Sequence, residues 1–219
     1  MSNKKRVGVV LAGCGVQDGS EIHEAVITLL ALDRAGAEAI CAAPDMQLQT
    51  VNHLTGKATG ERRSVLVESA RIARGKVRDI AKVMAADVDA LVFPGGFGAA
   101  KNLCDFASKG AGCTVHPEVE KLARAVHAAG KPIGAMCIAP VVVAKLFGAE
   151  HPKVTIGDDV ETAQAIEAMG ARHEGRGVQE VVIDRDRRLV TTPAYMLARS
   201  ISEAAGGIES LVREVLAMT

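Results

Sequence analysis

The sequence predicts an α/β sandwich in which one mainly parallel sheet carries helices on both faces, and three observations predict it. Short β-branched runs alternate with longer segments of helical period. Glycines and prolines stand where those segments should end and begin. Three glycine- or alanine-rich stretches, "AGCGVQDGSEIHE", "FPGGFGAAKN" and "AMCIAP", follow apolar runs, where the carboxyl ends of parallel strands and their ligands belong. At 219 residues a single core suffices, so residues 1–219 are expected to form one domain.

Taken in order, "RVGVVLAG" reads as the first strand and "EIHEAVITLLALDRAG" as its helix, with Ile22, Val26, Leu29 and Leu30 as the apolar face and Gly36 as the stop. "EAICAAP" follows as a strand. Residues 47–63 are polar and fit either a small hairpin or a loop over the site. "DALVFPGG" is a strand, "PEVEKLARAVHAAG" a helix opened by Pro117 and closed by Gly130, and "KPIGAMC" a further strand. Val154 to Ile156 is expected to be a short strand. "QEVVIDRDRRLVTTP" is expected to be a hairpin turning at Asp184 to Arg187, and the segment from Ala194 to Met218 a closing helix weakened at Gly206 and Gly207.

Composition narrows the function classes. Lysine plus arginine equal aspartate plus glutamate at 26 each, which removes any bias toward nucleic acid or anionic membranes. With five aromatics and no tryptophan, a base-stacking surface is not expected. The five cysteines lack CxxC pairs and metal-ligand spacing, so they read as reduced thiols, with neither a metal nor a disulfide framework. "GCGVQDG" misplaces the third glycine of a dinucleotide fingerprint, and no cofactor is expected. An N-terminus without signal-like or arginine- and serine-rich character points to the cytoplasm.

The chemistry concentrates on Cys137. Ala135 and Ala139 flank it in the small-x-nucleophile-x-small pattern of a nucleophile elbow, and a following helix would favour a thiolate. The competing reading is a small core hydrophobe. The glycines of "FPGGFG" let backbone approach a ligand, so the N–H groups of Gly96 and Ile138 form a candidate anion hole, unless they make only an ordinary turn. Ser20 reads as an N-cap, with Glu21 compensating the helix dipole and Glu24 one turn deeper, able to share a proton with Cys137 if buried. Cys14, at the end of the first strand, could line the same cleft or act as a redox partner. His23 is a further candidate for the site wall.

"VLAG…HEAVITLLALDRAG", "VFPGGFGAAKNL", "AMCIAP" and "VTTPAYML" together resemble the PfpI-type branch of the class I glutamine-amidotransferase-like superfamily, which includes the Parkinsonism-associated deglycase. Within it, "GCGVQDGSEIHEAV", "NHLTG" and "TTPAYMLA" resemble the ElbB-type branch, named for enhanced lycopene biosynthesis. The resemblance implies a flavodoxin-like three-layer sandwich, a cysteine nucleophile at Cys137, a glutamate partner at Glu24, oxyanion glycines at Gly95 and Gly96, site lining near Pro193, and a homodimer. It also implies a cofactor-independent glyoxalase turning the small dicarbonyl glyoxal into glycolate, a lyase-type activity tied to deglycation and isoprenoid supply.

Two departures bear on this. Gly157 and Ile138 stand where relatives carry a histidine, so no base comes from either usual position and turnover is expected to be slow. A redox-sensing or small-molecule-binding thiol is the alternative, and a glutamine amidotransferase subunit is disfavoured because no His-x-Glu pair occurs in the C-terminal third.

Overall fold

The structure, a computed structural model, describes residues 4–219. Strand β1 (Arg6–Val10) leads into helix α1 (Ile22–Arg34) and strand β2 (Glu38–Ala43). The polar segment 47–63, open in the sequence, is an antiparallel hairpin of β3 (Gln47–Asn52) and β4 (Lys57–Ser64), with a register shift between Gln49 and Val51. Helix α2 (Val65–Ile72), whose first turn is capped by the Ser64 hydroxyl, returns the chain to edge strand β5 (Val77–Asp79).

Strand β6 (Ala90–Phe93) ends in the Gly95–Gly96 turn before the short helices α3 (Phe97–Lys101) and α4 (Phe106–Lys109). Helix α5 (Pro117–Ala128) begins on proline as expected, strand β7 (Ile133–Met136) follows, and helix α6 (Pro140–Phe147) starts three residues after Cys137. A two-residue parallel pair, β8 (Lys153–Val154) with β9 (Arg172–His173), brackets helix α7 (Val160–Ala168) outside the main sheet. Hairpin β10 (Val182–Asp184) and β11 (Leu189–Thr192) turns where the sequence places it, and helix α8 (Ile201–Ala217) closes the chain.

Seven strands form the central sheet in the order β10–β11–β7–β6–β1–β2–β5, and β10 is the strand that pairs antiparallel. β6, β7 and β11 are buried along their whole length, because helices cover both faces and leave no solvent side for alternation. Two apolar clusters, one per face, make up the core: α5 and α6 contribute to one, α1 and α8 to the other. This is the expected three-layer, flavodoxin-like α/β architecture.

Three local expectations are corrected. The buried face of α1 is Glu24, Ala25, Ile27, Thr28, Ala31 and Leu32, while Ile22, Val26 and Leu30 are exposed. Ala25, Thr28 and Ala31 let the helix lie close to the sheet and to α8, with Ile27 and Leu32 filling the core, so Ile22, Val26 and Leu30 face outward. Ser20 is not the cap of α1; its hydroxyl accepts from Ala12 N–H at 2.9 Å, and Glu21 caps the helix by accepting from Glu24 N–H at 2.7 Å. The closing helix begins at Ile201, capped by Ser200, and runs unbroken through Gly206 and Gly207. A Cβ on Gly207 would stand 2.7 Å from Thr192 Oγ1, so that glycine is where α8 meets β11, not a weak point.

Among the described residues, no helix is long and apolar enough to cross a membrane.

Candidate active site

The carboxyl ends of β1, β6 and β7 meet where strand order reverses, and Cys137 follows β7 there. Its backbone has φ +58°, a left-handed conformation that costs a residue with a side chain on the order of 1–2 kcal/mol. A hydrogen bond from Cys137 N–H to Thr192 O at 3.0 Å helps hold it, and Ala135 and Ala139 are both fully buried around it. This is an elbow geometry. Cys137 is only 7% exposed.

Glu24 reaches the sulfur from the first turn of α1 and is fully buried. Gly95 N–H donates to its Oε2 at 2.8 Å and Tyr195 N–H to its Oε1 at 3.1 Å, while the thiol of Cys137 makes the third contact. Burial pushes the carboxyl up to about 7, although those N–H donors favour its charged form. Burial also raises the Cys137 thiol well above the ordinary range, and the neighbouring Glu24 adds to the rise. The N–H groups of Gly96 and Ile138 point at the sulfur and oppose the shift. The expected low-pKa thiolate is therefore replaced by a thiol that shares its proton with a buried carboxyl.

The glycines divide their work. Gly96, at φ +88°, and Ile138 supply the two N–H groups at the sulfur. Gly95 does not join them, because its N–H is committed to Glu24. Its own requirement is steric: a Cβ there would lie 2.9 Å from Cys137 Sγ and 2.8 Å from Glu24 Oε2.

A cavity of about 380 Å³ opens onto Cys137. Gly96, Phe97 and Ile138 line it beside the nucleophile, with Asp159 and Glu161 at the start of α7 and Tyr195 opposite. Asp159 caps α7, accepting from Thr162 N–H at 2.8 Å, and those hydrogen bonds hold its carboxyl below the usual range. No histidine lines the cavity among the described residues. Gly157 could not supply one, since it has φ +99° and Leu197 Cγ would stand 2.8 Å from its Cβ.

The remaining sequence candidates fall elsewhere. Cys14 lines a separate cavity of about 170 Å³ beneath the β3–β4 hairpin, with Asp18, His53, Arg63 and Glu68, so it does not share the cleft of Cys137. Pro193 is buried and absent from the cavity wall; it opens the tight turn Ala194–Met196 that presents Tyr195. His23 is at the surface and touches the cavity only through Tyr195, whose hydroxyl lies 2.8 Å from His23 Nδ1. Tyr195, Asp159 and Glu161 escaped the sequence reading. "VTTPAYML" carries Tyr195 two residues after its proline, and only the fold turns that tyrosine toward Glu24.

The human "glutamine amidotransferase-like class 1 domain-containing protein 3, mitochondrial" is 49% identical over 98% of this chain and 83% of its own length. The rat "ES1 protein homolog, mitochondrial" is 46% identical over 99% and 85%. Among solved structures, an isoprenoid biosynthesis protein with an amidotransferase-like domain from Ehrlichia chaffeensis superposes with a TM-score of 0.91 at 38% identity, covering 98% of this chain and 100% of that one. Glyoxalase III from Candida albicans shares the fold, with a TM-score of 0.63 at 14% identity over 98% and 97%. The mitochondrial names of the human and rat proteins overturn the cytoplasmic expectation, because N-terminal composition alone does not place a chain whose relatives are mitochondrial. The description "DJ-1/PfpI family" matches residues 9–198, and with the elbow cysteine, its buried glutamate and these relatives, the chain belongs to the DJ-1/PfpI family.

Proposed function

We propose that this protein is a cofactor-independent glyoxalase that converts a small dicarbonyl such as glyoxal to its hydroxy acid. The observation that carries the reading is the Cys137 thiol in contact with the buried carboxyl of Glu24, with two N–H groups aimed at the sulfur. The sulfur adds to one aldehyde carbon and Glu24 takes the thiol proton. The new alkoxide lies against the Gly96 and Ile138 N–H groups, and Glu24 returns the proton to it, giving the hemithioacetal and a free carboxylate. The C1 hydrogen then leaves as a proton and C2 gains one, which makes a thioester of glycolate without an external oxidant or reductant. Water hydrolyses the thioester and frees Cys137.

A thiol used only for sensing works best when exposed and acidic, and Cys137 is neither. Glutamine hydrolysis asks for a base beside the nucleophile, and no histidine stands on the cavity wall.

Glyoxal consumption with glycolate as the readout, on wild type beside Cys137→Ser and Glu24→Ala, tests the reading. Turnover lost in both variants supports it. Turnover that survives Cys137→Ser, or a wild type inert toward glyoxal, overturns it.

A further inference from the structure

A dicarbonyl has two oxygens, and the residues described so far serve one of them. In the proposed reaction the Gly96 and Ile138 N–H groups, which point at the sulfur, receive the oxygen on the carbon that the sulfur attacks. The second oxygen needs a proton donor when the C1 hydrogen is removed, because an enediol cannot form without neutralising it. Glu24 has a different duty in that step: its carboxylate, fully buried and held by backbone N–H groups on both oxygens, receives the C1 proton and has none to give the second oxygen at the same moment. Asp159 is held as a carboxylate by its capping hydrogen bonds and only accepts.

Glu161, Thr162 and Tyr195 also line the cavity, and Tyr195 is the one linked by hydrogen bonds both to the Glu24 carboxyl and to a surface histidine. Its backbone N–H fixes Glu24 Oε1 and the residue lines the cavity, so one residue borders both the carboxyl and the substrate space. Its hydroxyl meets His23 Nδ1 at 2.8 Å, and the His23 side chain is 47% exposed, with Glu21 Oε1 3.9 Å from the same nitrogen. When Nδ1 carries the proton, the tyrosine oxygen accepts it and its own O–H is free to donate into the cavity.

We infer that Tyr195 is a catalytic acid for this reaction, donating to the second carbonyl oxygen of the bound dicarbonyl, and that His23 relays protons between Tyr195 and solvent. The inference rests on the glyoxalase reading of Cys137. In balanced form, the C1 proton of the hemithioacetal passes to the Glu24 carboxylate as Tyr195 O–H protonates the C2 oxygen, giving the enediol. His23 restores the tyrosine proton and recovers its own from water. Glu24 then returns its proton to C2, and the C1 hydroxyl proton leaves to solvent as the thioester carbonyl forms. Burial first, with Glu21 and Glu24 adding, raises the phenol above its ordinary value and keeps it protonated as a donor must be.

The arrangement also accounts for a family departure. Where the resemblance implies a histidine, this chain has Gly157 in a conformation only glycine tolerates well, and His23 is linked to the site through Tyr195 instead.

Tyr195→Phe removes the hydroxyl while keeping the ring and the N–H that holds Glu24. Steady-state kinetics with glyoxal should show kcat lowered about 10²-fold and KM changed less than about threefold. The rate of Cys137 alkylation by iodoacetamide should match wild type, because the thiol–carboxyl pair is untouched. His23→Ala should lose about tenfold in kcat and recover part of it with added imidazole. A Tyr195→Phe enzyme within about twofold of an active wild type overturns the role of Tyr195 and leaves that of Cys137 standing. An altered alkylation rate in Tyr195→Phe also overturns it, by reducing Tyr195 to a prop for the pair. A wild type without turnover overturns both readings.

Discussion

Cys137 and Cys14 occupy similar places and meet different surroundings. Each follows a parallel strand of the central sheet, borders a cavity and has a helix glutamate nearby, Glu24 from α1 for one and Glu68 from α2 for the other. Glu68 is neutralised by Arg71 at 2.8 Å and approached by Arg63 at 3.8 Å, whereas Glu24 has no cation and is held by backbone N–H groups. Burial raises both thiols, but only at Cys137 do two N–H groups oppose it at the sulfur. A thiol beside a carboxyl is therefore not enough. What separates the two places is backbone, bent at Gly96 and Cys137 so that N–H groups point inward.

The sharpest way to break this contrast is to remove each sulfur. Cys137→Ser should cost at least about 10³-fold in glyoxal turnover, while Cys14→Ser should stay within about twofold of wild type. Equal losses would erase the distinction.

Next in size is the glycine that shapes the pair. Gly95→Ala puts a methyl against the Cys137 and Glu24 side chains, and kcat/KM should fall about 10²-fold with the chain still folded, as checked by circular dichroism and kinetics together. Gly13→Ala, which disturbs the Cys14 loop through Leu48, should lower thermal stability and leave kcat/KM nearly intact.

A smaller effect follows pH. Because the Glu24 carboxyl titrates near 7 in the folded chain, the pair holds one proton above that pH and two below it. The kcat/KM for glyoxal should fall about tenfold per unit as pH drops below 7, and Glu68→Gln should reproduce the same limb. The same rise has a cost for folding: its stabilising contribution is complete below the ordinary carboxyl range and disappears as pH rises through 7. Wild type should accordingly lose on the order of 5 °C in Tm between pH 5 and 8 relative to Glu24→Gln, read by differential scanning fluorimetry.

Least affected should be the variant Arg71→Ala. That arginine is mostly exposed, so its loss should cost about 0.3–0.5 kcal/mol in urea unfolding and less than about twofold in activity.

Much of this was legible before the coordinates. Alternation of apolar runs and helical segments located the main strands, and the spacing around Cys137 and Glu24 was visible because nucleophile elbows and first-turn carboxylates leave local marks. What stayed hidden depends on distant contacts. The face of α1 was misread because Ile22, Val26 and Leu30 outrank Ala25 and Ala31 in hydrophobicity, while packing against α8 favours the smaller set. The commitment of Gly95 N–H to Glu24 spans 71 residues and that of Tyr195 N–H spans 171, and no local pattern encodes either. Periodicity also carried the closing helix back to Ala194, because nothing nearby says that Tyr195 N–H must reach Glu24 instead.

Those long spans also set an order of assembly. The Thr192 carbonyl that holds the Cys137 backbone and the Tyr195 N–H that holds Glu24 both lie in a segment that comes later in the chain than Cys137, Glu24 and the glycine turn. A ribosome releases the nucleophile, its carboxyl and the glycine turn well before that segment emerges. During synthesis Cys137 is an ordinary thiol on an unfinished sheet, and insertion of β11 beside β7 is the event that arms it. Pairing of β11 with β7 thus acts as a safety catch on the thiol.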